Sequence, residues 1–425
     1  MLGASRLGGS RCQITLSASF GRDAKSTSCP KLMLHSRRAT LAFLAGGAAV
    51  GFQRVPARGE PPPDGRVGTA LVLSGGGARG AYEAGVIEGL ARAAGIADGE
   101  RLPDVDLVIG TSVGALNGWF LATAQYSALR RAWQDISASS LFRLKRQYAE
   151  LDRPNAGVVS RIIESLSMLS SLNRSMAGIF DSEPIKAWLR ATVVPDRPAL
   201  IPFVFNSADI CNMRAAYFYV RDDGIDAQML NSIVCSIESV SGLPAIAQHA
   251  GPMLHDALYA SIALPLLLDP IELIVGGKRG LFVDGGSCDN TAIDIARVSS
   301  RRVNVVLTDP VSVQFNPTNA VTAGLGSFNL LQLRALDASL RSAYFETTGK
   351  RLFAETVCDG AQRSYLSSIF DVDLGILRPA TELGAGYGDF HDAQRLRASY
   401  ELGLRDAAKG WSPYRPPSPP QALNA

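Results

Sequence analysis

The chain has 425 residues, of which 47% are hydrophobic and 19% are charged, so it can build one large core or two ordinary domains. Its formal charge of +3 is unevenly divided: residues 1–57 carry eight Lys or Arg and one acid, while the remainder carries 34 basic and 38 acidic residues. A body with a net charge of −4 argues against a nucleic-acid partner.

The basic N-terminal segment has the pattern of an export signal. Arg37 and Arg38 precede an uncharged apolar run that ends at Phe52, and small residues follow at the spacing that a signal peptidase accepts. We interpret residues 1–57 as a signal that resembles the twin-arginine type, which predicts an exported or periplasmic protein, with Met33 as an alternative start. A mitochondrial transit peptide and a membrane-associated cytoplasmic location are the alternatives.

The body opens with alternating strands and helices. A polar linker at 58–67 precedes a predicted strand at 69–74, whose continuous apolar run suits a parallel sheet buried on both faces. The pattern then predicts a helix from Gly80 to Ala94, a strand from 106 to 109 and a helix through about Thr123. This order is typical of an open α/β sheet.

The later elements are less regular. Residues 137–180 interrupt the alternation of predicted strands and helices. Residues 412–425 are a proline-rich tail that we expect to be disordered. One α/β domain over 68–411 is the simplest interpretation, and a separate lobe after Pro310 is the alternative. The remaining runs predict strands at 201–208, 215–220, 271–275, 281–283, 303–307 and 370–377, and helices at 321–348 and 390–409.

The cysteines do not indicate a metal or dithiol redox site, because none of them has C-x-x-C spacing. We interpret those in the body, including Cys288, as buried thiols, although an exported protein could pair two of them. The six cysteines are at positions 12, 29, 211, 235, 288 and 358.

A glycine-rich loop follows the first strand. Gly75, Gly77 and Gly80 satisfy G-x-G-x-x-G between a strand and a helix. A dinucleotide site would also need an acid ending the second strand, which here ends in Ile109 and Gly110. A Walker loop would need Gly-Lys-Ser/Thr, which is absent here. The loop therefore does not predict a nucleotide.

The second strand leads into a stronger motif. Residues 110–114, GTSVG, form G-x-S-x-G between a buried strand and a helix. A sharp turn there holds Ser112 in a strained conformation that only the small neighbours Gly110 and Gly114 allow. The hydroxyl then lies at a helix N-terminus, which favours developing negative charge. Ser112 is the candidate nucleophile, and a fortuitous turn is the alternative.

The candidate base is an aspartate. None of the four histidines, at 35, 249, 255 and 391, lies in a recognisable catalytic loop, and we interpret His255 as structural. Asp284 ends an apolar run and precedes Gly285 and Gly286, which let the backbone turn away. An acid at the C-terminal end of a strand in an α/β sheet faces the active-site edge. An ordinary Asp-Gly turn is the alternative.

Taken in order, GGGARG at 75–80, GTSVG at 110–114 and DGG at 284–286 resemble the patatin-like phospholipase family. The resemblance covers roughly 69–310 and includes IFDSEPI, ASIALPLLLDPIEL and the DNT that follows DGG. It implies a three-layer α/β/α fold with a mainly parallel central sheet, a variable cap at 137–180 and a C-terminal helical part at 311–411. Ala292 and Ile293 depart from the family's usual Pro-Leu, and the segment up to Val303 is short for its next helix.

The resemblance also implies a mechanism. Ser112 would attack an ester carbonyl and Asp284 would accept its proton, in a dyad without histidine. The oxyanion would be stabilised by the backbone amides of Gly75, Gly76 and Gly77, with Arg79 nearby. The implied substrate is a lipid acyl ester, such as a phospholipid, a lysophospholipid or an acylglycerol, and no metal or organic cofactor is implied.

Two other functions remain open at this stage. One is a conventional Ser–Asp–His esterase or thioesterase that uses His391, and the other is a non-catalytic lipid-binding protein on the same scaffold. Peripheral membrane contact is a further expectation. Its candidate is a basic patch of Arg143, Lys145 and Arg146 beside apolar neighbours, and a solvated face is the alternative interpretation.

Overall fold

The computed structural model describes residues 67–138, 141–143, 145, 178, 180–220, 244–310, 320–357, 372–383 and 388–416. The described residues belong to one compact unit, Pro61–Ala425. The predicted export signal, the linker apart from Val67, most of the cap at 137–180 and residues 417–425 lie outside the described residues and stay predictions. Cys12, Cys29, Cys235 and Cys358 lie there too.

Ten strands of the described residues form one mixed sheet. Its central strands β9, β8, β1, β2 and β3 are parallel neighbours, and the antiparallel pairs are β3–β4, β3–β7, β6–β7 and β9–β10. The strands are β1 Val67–Leu73, β2 Leu107–Thr111, β3 Phe203–Asp209, β4 Arg214–Val220, β5 Ala245–His249, β6 Ile271–Val275, β7 Lys278–Asp284, β8 Ser300–Val306, β9 Asp373–Leu377 and β10 Ser412–Pro413.

Helices cover both faces of the sheet. Along β1, Leu71 and Leu73 enter one apolar core while Ala70 and Val72 enter a second one, because successive side chains of a strand point to opposite faces. The result is the three-layer α/β/α fold that the resemblance implied. The described helices are α1 Gly80–Ala93, α2 Val113–Ala122, α3 Tyr126–Ala138, α4 Glu183–Thr192, α5 Leu254–Ile262, α6 Ile293–Ser299, α7 Ala320–Val357 and α8 Ala393–Ala407.

The described C-terminal elements share this sheet and core, which favours one domain over a separate lobe after Pro310. Strand β9 pairs in parallel with β8, and α8 packs against α1 at very short distance. A Cβ at Gly85 would overlap the carbonyl oxygen of Tyr400, and one at Gly403 would overlap that of Tyr82. Glycines at both crossing points therefore allow the two helices to touch through their backbones.

The structure corrects the predicted disorder at the start of the tail. Residues 412–413 pair with β9 as an edge strand, and the Tyr414 amide donates to the carbonyl of Leu374 at 3.0 Å. Proline is tolerated at the edge of a sheet, where its missing N–H breaks no central ladder. Helices α3, α4 and α5 and strand β5 were not predicted from the sequence. Among the described residues, no helix combines the length and the hydropathy that a bilayer-spanning segment needs.

Candidate active site

Ser112 lies in a strained turn between β2 and α2. Its φ of 53° and ψ of −125° lie in a region that side chains rarely adopt. A Cβ at Gly110 would overlap the backbone of Gly114, and a Cβ at Gly114 would overlap the carbonyl of Leu73. The Ser112 amide donates to the hydroxyl of Ser261 at 3.0 Å, which fixes the turn from outside. This is the crowded turn that the GTSVG motif predicts.

The hydroxyl of Ser112 donates directly to the carboxylate of Asp284. The Oγ–Oδ2 distance is 2.6 Å, and the amide of Gly286 donates to the other oxygen, Oδ1, at 2.7 Å. Both side chains are buried. Burial raises the pKa of Asp284 to about 6, and these two hydrogen bonds oppose the rise because they favour the charged form. Asp284 is therefore positioned as a base that is ionised near neutral pH.

Strand register brings this pair together, by a route that differs from the one expected. The sequence argument placed Asp284 at the C-terminal end of a strand, where an α/β sheet has its active-site edge, and β7 does end at Asp284 but runs antiparallel to β3. Strand β3 extends past the end of β2, so that Thr111 pairs with Asn206 and the next residue, Ser207, pairs with Asp284. The carboxylate therefore reaches Ser112 along the edge of β3 that β2 and β7 share, because β4 occupies the opposite edge.

The glycine loop lies beside the nucleophile. A Cβ at Gly75 would lie 3.3 Å from the Cβ of Ser112, and Gly77, with a φ of 57°, lines the same cavity as Ser112. The Gly75 amide already donates to the carbonyl of Asn290 at 3.0 Å. No hydrogen bond within the described residues engages the amides of Gly76 and Gly77. These two amides are the available anion donors of the loop.

The side chain of Arg79 supports the glycine loop. Its guanidinium forms a buried ion pair with Asp309, and its Nε donates to the carbonyl of Gly76 at 3.4 Å. Arg79 is not among the described residues that line the cavity beside Ser112. These contacts favour a structural role, in which Arg79 ties the loop to the segment after β8, and its expected place near the oxyanion stays a prediction.

Several residues that hold the site were missed by sequence reasoning. Asn206 donates to the carbonyl of Asp289 at 2.8 Å, and the hydroxyl of Thr308 donates to that of Gly75 at 3.3 Å. Gln332, on α7, donates to the carbonyl of Gly286 at 3.2 Å. Asn206 carried a usable signal, because an amide within an otherwise apolar strand must find a polar partner.

A buried polar network connects the loop to the nucleophile helix. Glu83 accepts from the hydroxyl of Ser74 at 3.4 Å and from the amide of Asn117, on α2, at 3.1 Å. The carbonyl oxygen of the Asn117 side chain accepts from the indole of Trp133 at 2.9 Å. Burial raises the pKa of Glu83 to about 8, although these hydrogen bonds oppose the rise. Glu83 is therefore mainly protonated at neutral pH.

An apolar cavity opens onto Ser112 and Asp284. Apart from those two residues, Gln332, Gly77 and Gly388, its described lining is made of aliphatic and aromatic side chains. Such a lining favours an acyl chain next to the reacting groups. Its members include Leu116, Ile136, Phe142, Trp188, Leu267 and Phe390.

The basic patch is largely paired. Arg143 bonds to Asp181 at 2.6 Å and Lys145 to Asp269 at 2.5 Å, while Arg146 lies outside the described residues. Their apolar neighbours Leu141 and Phe142 line the cavity. This arrangement favours paired surface charges over a membrane-binding cluster, and peripheral membrane contact stays a proposal.

The remaining candidates lie outside the cavity. The ring of His255 donates through Nε2 to the carbonyl of Val193 at 2.9 Å, a structural bond, while His249 and His391 are exposed. Cys211 is exposed, against expectation, and Cys288 is partly buried, with its thiol donating to Gly285. Among the described residues, no three His, Cys, Asp or Glu side chains form a candidate metal cluster.

Known proteins resemble the part of the chain that carries these motifs. The family model described as Patatin-like phospholipase matches residues 71–297. The crystal structure of VipD from Legionella pneumophila is similar to this chain, with 13% sequence identity and a TM-score of 0.34. The alignment covers 82% of this chain and 68% of the VipD chain. No curated protein matches the chain significantly.

Proposed function

This chain belongs to the patatin-like phospholipase family, and from that premise we propose that it is a serine hydrolase of lipid acyl esters that uses a dyad of Ser112 and Asp284. The observation that carries the proposal is the 2.6 Å hydrogen bond from the serine hydroxyl to the aspartate. A nucleophile in contact with its base is the minimum that acyl transfer requires.

The proposed reaction has two halves. Asp284 accepts the hydroxyl proton while Ser112 attacks the ester carbonyl, and the proton then passes to the departing alcohol as the acyl-serine forms. Water, deprotonated by the same carboxylate, attacks the acyl-serine and releases the fatty acid and the free serine. A base with a pKa of about 6 suits this work, because it is ionised at neutral pH and still basic enough to take a proton.

The oxyanion of each half would be stabilised by the amides of Gly76 and Gly77. This set is narrower than the one the resemblance implied, because the amide of Gly75 is engaged by Asn290. Loss of one such donor typically costs about 10²–10³ in rate. Arg79 would contribute indirectly, by holding the loop in place through its bond to the carbonyl of Gly76.

The proposed substrates are phospholipids, lysophospholipids or acylglycerols, whose acyl chain would occupy the apolar cavity. Exposed leucines support peripheral contact with a lipid surface. Leu266 is 63% exposed at a strained φ of 71° within a segment that lines the cavity, and Leu331 is 69% exposed between the lining residues Phe328 and Gln332. Exposed apolar residues beside a binding site often mark an interaction surface.

Hydrolysis of a panel of lipids that vary in head group and chain length tests the proposal, with Ser112→Ala as the control. We expect turnover by the parent protein, no turnover by the variant, and labelling by a fluorophosphonate that depends on Ser112. A well-folded protein that neither hydrolyses any ester nor reacts with the probe would instead be the lipid-binding protein.

Comparing Asp284→Asn with His391→Ala separates the dyad from a conventional triad. The dyad predicts that the aspartate variant loses at least about 10² in kcat, which is the usual contribution of a general base, while the histidine variant keeps parent activity. Loss of turnover in His391→Ala with turnover kept in Asp284→Asn would favour the triad.

A further inference from the structure

Four aromatic rings form a continuous row at the cavity. Phe142 stacks on Phe390 with ring centroids 4.4 Å apart and an interplanar angle of 20°. Trp133 lies on the other side of Phe390 at 6.4 Å, and Phe180 meets Phe142 edge-on at 5.8 Å. Phe142, Phe180 and Phe390 line the cavity that holds Ser112, so the row is one of its walls.

This wall is fixed at both ends. The indole of Trp133 donates to Asn117 on the nucleophile helix, and a Cβ at Gly80 would lie 2.9 Å from the Trp133 ring. At the other end, the amide of Phe180 donates to the carbonyl of Leu267 at 2.9 Å. A longer ligand cannot easily displace stacked rings that are held in this way, because close-packed side chains resist movement.

Phe390 is the member of the row that the family resemblance does not reach, because the matched residues end at 297. It precedes α8, whose first turn is capped by Asp392 accepting from the amide of Arg395 at 3.0 Å. The packing of α8 on α1 fixes the position of that cap. The ring of Phe390 is thus held in the cavity by a part of the chain that lies outside the motif-bearing core.

We propose that Phe390 is a specificity-determining residue that limits the length of the acyl chain accepted beside Ser112. This inference rests on the proposed function, since it presumes that an acyl chain occupies the cavity. The ring fills space that several methylene groups would otherwise occupy, and a single methylene in an apolar pocket changes kcat/KM about tenfold or more. A smaller residue at position 390 therefore extends the accepted chain, and a larger one shortens it.

The test compares Phe390→Ala and Phe390→Trp with a matched control, Phe345→Ala, whose ring is 58% exposed on α7. The substrates are p-nitrophenyl esters from acetate to palmitate, and the quantity is the ratio of kcat/KM for the dodecanoate to that for the butanoate. We expect the ratio to rise about tenfold in Phe390→Ala, to fall in Phe390→Trp and to stay within about twofold in Phe345→Ala.

The role of Phe390 in chain length would be overturned if Phe390→Ala and Phe390→Trp were both folded and both kept the dodecanoate-to-butanoate ratio of the parent protein. Circular dichroism accompanies each assay, because Phe390→Ala could unfold the protein. If that variant has lost its structure, Phe390→Leu replaces it as the smaller residue.

If the parent protein hydrolyses none of the esters, the proposed function fails, but the cavity can still be tested by binding. Displacement of a fluorescent fatty acid by unlabelled fatty acids of increasing length is then measured in the Ser112→Ala background. A preference that moves to longer chains with Phe390→Ala supports the role of the ring in chain length. An unchanged preference overturns it.

Discussion

Arg79 and Asp309 form a buried ion pair that joins the turn after the glycine loop to the segment that follows β8. The two residues are 230 positions apart in the chain. Their contact therefore connects the glycine-rich motif near the start of the domain to the loop that follows one of the central parallel strands. It also explains why a cationic side chain is buried next to a loop whose proposed task is to bind a negative charge.

Removing one partner of this pair should destabilise the protein strongly. Arg79→Ala and Asp309→Ala each remove one side of this buried ion pair, which typically costs about 3–5 kcal/mol. The double variant should cost less than the two losses together, because it leaves neither charge unpaired. Urea denaturation of the four proteins measures this coupling. Two small, additive losses would mean that the pair contributes no more than a surface ion pair does.

Catalysis should depend on the ionisation of Asp284. The proposed mechanism requires this carboxylate to accept a proton, and its pKa is raised to about 6, so kcat/KM should fall about tenfold per pH unit below 6 and level off above it. The measurement is the initial rate on a soluble short-chain ester across pH 4.5–8.5, with fluorophosphonate labelling as an independent readout of the same titration. A rate that continues to rise through pH 8 would exclude Asp284 as the group that limits activity.

Asp284→Asn should stabilise the fold while it removes activity. The folded pKa is raised above the ordinary value of 3.8, so the stability present below that value is lost as the pH rises through about 6. Asparagine does not titrate, and its amide can still donate to Ser112 while its oxygen accepts from Gly286. We expect a gain of about 2–3 kcal/mol at pH 8 and none near pH 4, measured by denaturation at both pH values. A variant that is less stable at pH 8 would contradict this.

Glu83→Gln should change the pH dependence of folding stability more than it changes catalytic activity. The pKa of Glu83 is raised from 4.5 to about 8, so its contribution to stability is lost as the pH rises through 8. The variant keeps the acceptor for Ser74 or Asn117 and should show a flatter stability curve between pH 6 and 9. Glu83→Ala serves as the contrast, because it breaks the network and should lower both stability and kcat. Identical curves for Glu83→Gln and the parent would show that Glu83 does not titrate in this range.

Gly114→Ala should disrupt the nucleophile turn. Its Cβ would overlap the carbonyl oxygen of Leu73 and lie 2.8 Å from that of Ser74, and both contacts are with backbone that cannot move aside. We expect a loss of more than about 3 kcal/mol in unfolding free energy, or no soluble protein. Gly349→Ala on α7 is the matched control: nothing lies within 4 Å of its Cβ, so it should gain about 0.5–1 kcal/mol from helix propensity. Equal effects of the two substitutions would refute the steric explanation.

Local chemistry explains which parts of the fold and site the sequence could predict. The strands of the parallel core carry continuous apolar runs, and the turn at Ser112 requires small residues on both sides. A short stretch of sequence is therefore enough to predict each of these features. The pairing of Ser112 with Asp284 followed from the order of the motifs and from the family resemblance. Helix α3 was missed because the preceding helix ends at Ala122 and the next one begins within four residues.

Long-range contacts account for the rest. The approach of Asp284 depends on how far β3 extends past β2, and no local pattern encodes that register. The same holds for Asp309, Gln332 and Phe390, each of which supports or lines the site from a position outside the motifs. The ion pair of Arg79 with Asp309 has the same origin, since its partner is 230 positions away in the chain.

The close packing of α8 on α1 has a consequence for the timing of synthesis. The helix that follows the glycine loop is made early, but the helix that covers it at Gly85 and Gly403 is among the last described segments to leave the ribosome. Phe390 and the β9 strand emerge in the same late stretch. Ser112, Asp284 and the glycine loop are therefore all translated before α8, and the packing of α8 on α1 can form only after α8 itself has been made.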